Sequence, residues 1–212
     1  MTSQTSHPGL NMGEKHAGVE ERAEIVMFGF WVFLMSDVII FAMCFGVYAT
    51  ATHALAGGPG PQELFDVNSI IWQTAALLLS SLTCGLASLR LKHAHSDSQS
   101  QSRWKLILWI GLTLLLGIMF LGLEMRDFIH MSEQDAVPSR SGWLSAYWAL
   151  VGLHGLHLVI GVLWGIIVIA HIVHFNLTDM TKMRFMRWSL YWHFLDIIWV
   201  AIFSMVFLGG LL

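Results

Sequence analysis

Apolar residues in this chain gather into five long blocks, at about residues 25–49, 67–91, 104–123, 143–171 and 189–211, with short polar stretches between them. Each block reaches the roughly 20 residues needed to cross the hydrocarbon core of a bilayer. In lipid, a helix is the simplest way for such a block to satisfy its own backbone hydrogen bonds. The pattern predicts an all-α integral membrane bundle of five transmembrane helices over residues 25–212, preceded by a polar tail at 1–24. That tail contains no apolar signal-peptide core, so the first span is expected to direct insertion. The turn-rich A-G-G-P-G-P at 56–61 predicts a tight connection, and S-D-S-Q-S-Q-S at 96–102 a flexible tether.

The fourth block is the most uniform. From Trp143 to Ala170 it holds no Asp, Glu, Lys or Arg. His154 and His157 stand at i and i+3, so they share one face about 4.5 Å apart along the axis. Gly152, Gly155, Gly161 and Gly165 are expected to pack against other helices, because small residues let backbones approach closely.

Composition agrees with a membrane class. Hydrophobic residues make up 56% of the chain and charged residues 12%, about half the charged share of a soluble domain. Nine basic residues (Lys15, Arg22, Arg90, Lys92, Arg103, Lys105, Lys182, Arg184 and Arg187) fall on one side of a five-span arrangement, in the tail and the second and fourth loops. Arg126 and Arg140 fall on the other. The positive-inside rule then places the N-terminus in the cytoplasm and the C-terminus in the periplasm. Trp31, Trp72, Trp104, Trp109, Trp143, Trp148, Trp188, Trp192 and Tyr191 stand mostly near span ends and are expected to anchor at the interface. Cys44 and Cys84 differ in depth by roughly 16 Å, too far for a disulfide.

Ionisable residues inside the spans are the candidates for chemistry. Asp37 lies near the middle of span one. It reads either as a proton-influencing acid or as a structural interhelical hydrogen bond. Histidines on membrane helices can hold haem. However, none of His171, His174 and His193 lies at the depth of His154 or His157, so a hydrogen-bonded structural role is the better reading. Glu124, Arg126 and Asp127 end span three, with Arg126 and Asp127 expected to pair with each other. Asp196 follows His193 by three residues, within pairing distance on a helix. Phosphate-loop, dinucleotide-binding, nucleophile-elbow and HExxH motifs are all missing from the sequence. Nothing in it points to nucleic acid.

Five segments taken together resemble a known family. They are F-G-F-W-V-F-L-M-S-D (28–37), A-G-G-P (56–59), R-S-G-W-L-S-A (140–146), A-L-V-G-L-H-G-L-H (149–157) and L-Y-W-H-F-L-D-I-I-W (190–199). In this order they resemble subunit III of the haem–copper terminal oxidases, in the five-span form of bacterial cytochrome bo-type ubiquinol oxidases. The resemblance implies a non-redox accessory subunit of a proton-pumping quinol oxidase in a bacterial inner membrane. It would steady subunit I and its proton-uptake path, with haem and copper carried by that partner. Phospholipid held in a cleft is a further implication. No catalytic, cofactor or metal residue is expected in this chain. The family often has Glu where this chain has Asp37, one methylene shorter.

Depth suggests one specific pairing. Asp37 lies roughly 18 Å from the cytoplasmic boundary and His157 roughly 21 Å from it, so a hydrogen bond between spans one and four is expected. The rival readings are a haem-binding electron carrier using His154 or His157, and a small proton-coupled transporter using Asp37.

Overall fold

The computed structural model describes residues 17–55, 64, 66–93, 99–175 and 178–211. Five long helices run through it: α1 (Ala17–Ala51), α2 (Val67–His93), α3 (Gln99–Glu133), α4 (Gly142–Phe175) and α5 (Asp179–Ile202). The fifth continues through a π-helical segment, Phe203–Leu208, into Gly209–Leu211. All five are long and apolar enough to cross a membrane. Among the described residues there is no strand.

The helices outrun the apolar blocks. α1 already begins at Ala17, and Gln99–Ser102 form the first turn of α3 instead of a tether; residues 96–98 lie outside the described residues, as does the turn at 56–61. α3 also runs ten residues past Leu123, carrying Glu124, Arg126 and Asp127 on helical backbone. Lys182, Arg184 and Arg187, expected in a loop, occupy the opening turns of α5. Hydropathy marks the part of a helix that meets lipid, whereas the helix itself ends only where caps or turns stop it.

Those stops are visible. α3 closes with Asp135 at φ 55°, in the left-handed region. The Ala136 amide bonds the Met131 carbonyl at 2.9 Å and the Asp135 amide that of Ser132 at 3.2 Å, the paired pattern of a helix C-terminus. Ser141 caps α4 by accepting from the Leu144 amide at 3.1 Å. Thr178 caps α5 by accepting from Thr181.

α2, α3, α4 and α5 pack in a closed ring, each on the next and α5 back on α2, while α1 lies outside against α4 and, less extensively, α5. Only 17% of the most apolar stretch of α1 is buried, against 50% for α5. α1 is pinned at one end, where Trp143 Nε1 donates to Tyr48 Oη at 3.2 Å and the Trp143 amide to the Ala54 carbonyl at 3.3 Å.

The tryptophans correct the anchoring expectation. Trp31, Trp72 and Trp104 are 49–60% exposed, as anchors would be, but Trp143, Trp188 and Trp192 are at most 1% exposed. Each buried indole N–H finds an acceptor. Trp188 donates to the Gly161 carbonyl at 2.9 Å and Trp192 to Ser80 Oγ at 3.1 Å. Burying so large a ring is favourable only where its one polar atom is satisfied.

Candidate functional site

Trp192 is the wedge around which the inner polar groups are arranged. It projects from α5 between Ser80 of α2, Gly117 of α3 and Gly161 of α4. A Cβ at Gly117 would stand 2.7 Å from the Trp192 ring, and one at Gly161 would stand 3.2 Å from Tyr191 and 3.3 Å from Trp192. Gly165 makes room for Leu114 and Trp188, at 2.6 and 3.0 Å from its would-be Cβ. At Gly161 and Gly165 it is the side chains of neighbouring helices, and not their backbones, that fill the space a Cβ would take. Gly152 has no such neighbour: nothing lies within 4 Å of where its Cβ would be. Gly117 was not legible among the glycines of span three, because nothing in its neighbours names the ring that meets it.

Gly155 has a more particular neighbour. Its would-be Cβ lies 2.9 Å from both carboxylate oxygens of Glu124, so the acid of α3 rests directly on the backbone of α4. Glu124 is buried. One residue before Gly155, His154 is fully buried, and the rings of Trp199, Phe120 and Phe41 surround it at 5.4, 5.9 and 6.5 Å. Those are the spacings of directly packed rings. Neither His154 nitrogen has a hydrogen-bond partner among the described residues, and neither does Glu124 Oε1.

Asp37 is buried, but no hydrogen bond joins it to His157 among the described residues. His157 Nδ1 donates instead to the Leu153 carbonyl on its own helix at 2.8 Å, and its ring packs on Phe41 at 5.2 Å. Tyr191 is the element the depth argument missed. Its hydroxyl donates to the His157 carbonyl at 2.9 Å, and the same side chain lies within electrostatic reach of Asp37.

His193 and Asp196 are not bonded to each other directly. His193 Nδ1 shares a 2.8 Å hydrogen bond with Ser81, and Ser81 also neighbours Asp196. Arg126 and Asp127 do pair, at 3.3 Å, within a larger cluster. There Asp127 Oδ2 accepts from Ser69 at 2.6 Å and Gln73 at 2.7 Å. The polar residues of α2 were the main omission. Ser69, Gln73, Ser80 and Thr83 recur at spacings of four, seven and three, a helical stripe facing α3 and α5, and that spacing was the available signal. Cys44 and Cys84 are free, and Cys84 bonds Ser189 at 3.3 Å. Among the described residues no group of three or more His, Cys, Asp or Glu is placed to hold a metal ion.

The family described as cytochrome c oxidase subunit III matches residues 11–211, nearly the whole chain. The chain belongs to that family. Among curated relatives of this subunit III, the cytochrome bo(3) ubiquinol oxidase subunit 3 of Pseudomonas aeruginosa is 41% identical over 201 residues, covering 95% of this chain and 93% of the relative. The quinol oxidase subunit 3 of Bacillus subtilis is 35% identical over 94% of the chain and 96% of its own length. The cytochrome c oxidase subunit 3 of the same bacterium is 37% identical over 86% of each. Membership of the subunit III family and the five-helix bundle therefore agree with the resemblance carried by the motifs.

Proposed function

We propose that this chain is the non-redox subunit III of a quinol oxidase of the aerobic respiratory chain. The observation that carries the reading is end-to-end similarity to subunits named for quinol oxidation, at 41% and 35% identity over at least 93% of every chain compared. In this reading haem and copper belong to the partner catalytic subunit, where oxygen is reduced and protons are pumped. Subunit III presents α1 and the outer faces of its helix ring to that partner and to phospholipid. Its buried acids and histidines order the bundle next to the partner's proton-uptake path. The basic residues that open α3 and α5 face the cytoplasm of a bacterial inner membrane, with the C-terminus in the periplasm.

A tagged copy of the chain, purified in mild detergent, tests this. It is expected to bring a large haem-bearing subunit with it, and the complex to consume oxygen with a short-chain ubiquinol and not with reduced cytochrome c. Recovery without any haem-bearing partner, or stoichiometric haem on the isolated chain, overturns the reading.

A further inference from the structure

We draw no further inference here: the strongest candidate, the buried Glu124 and His154 side chains where α3 packs on α4, leaves Glu124 Oε1 and both His154 nitrogens without a hydrogen-bond partner among the described residues, and nothing in the structure shows what would meet those atoms.

Discussion

Gly117→Ala is a single-methyl test of how the helix ring is held together. The added Cβ would stand 2.7 and 2.8 Å from two carbons of the Trp192 indole, so the ring must retreat about 0.7 Å to reach 3.4 Å, the edge of ordinary contact. It has little freedom to do so. Its N–H is bonded to Ser80, and Trp188 packs on it at 5.4 Å. Overpacking of this kind costs about 1–3 kcal/mol, and Ala regains at most about 1 kcal/mol of helix preference over Gly. The net expectation is a loss of about 1–2 kcal/mol, a roughly 5–30-fold fall in the folded-to-unfolded ratio. Unfolding of the purified complex in mixed micelles of rising SDS content, followed by tryptophan fluorescence, measures it. Gly122→Ala on the same helix is the control, since nothing lies within 4 Å of its Cβ position. Equal effects of the two substitutions would show that Trp192 is not a wedge. Adding Trp192→Phe should recover part of the loss, because contacting residues couple.

Gly155→Ala should likewise destabilise the complex, and should do so less in a Glu124→Ala background, because the carboxylate is what its Cβ meets at 2.9 Å; additive losses in the same SDS titration would refute that contact. Tyr191→Phe removes the hydroxyl bonded to the His157 carbonyl and should cost about 0.5–1.5 kcal/mol, so a variant indistinguishable from wild type would argue against that bond. His154→Leu should leave the haem content of the purified complex unchanged, read as the pyridine haemochrome per mole of protein. A stoichiometric loss of haem would favour the electron-carrier reading.

Much of the fold was legible because lipid imposes a one-dimensional rule. A block of apolar residues long enough to span must be helical, so five blocks meant five helices. Boundaries were less legible, since polar residues such as Gln99–Ser102 and Lys182–Arg187 continue helices beyond the apolar part. The tryptophans misled for a related reason. Trp188 and Trp192 stand near the start of the fifth apolar block, where interfacial anchors belong, yet acceptors on α4 and α2 draw their N–H groups into the core. The sequence carries the residue and its depth but not the acceptor on another helix.

The Asp37–His157 expectation shows the limit of depth as a guide. Counting residues from a common boundary fixes height, and two groups at equal height on neighbouring helices still miss each other if they face different directions. α1 and α4 do pack together, so the helices were chosen correctly. What intervenes is angular. Phe41, one turn after Asp37, packs its ring on His157, whose Nδ1 is held by its own helix at Leu153. Tyr191, from α5, bonds the His157 carbonyl. A third helix therefore takes part where a pairwise reading joined two residues directly. His193 likewise turns to Ser81 of α2, which also neighbours Asp196. The polar groups of a helix bundle are thus read more safely in threes, with the hydroxyl-bearing residues of neighbouring spans as the middle members. Hydroxyls such as those of Ser80, Ser81, Thr83 and Tyr191 cost less to bury than a charge and can both donate and accept, so they can stand between acids, imidazoles and indoles that do not themselves meet.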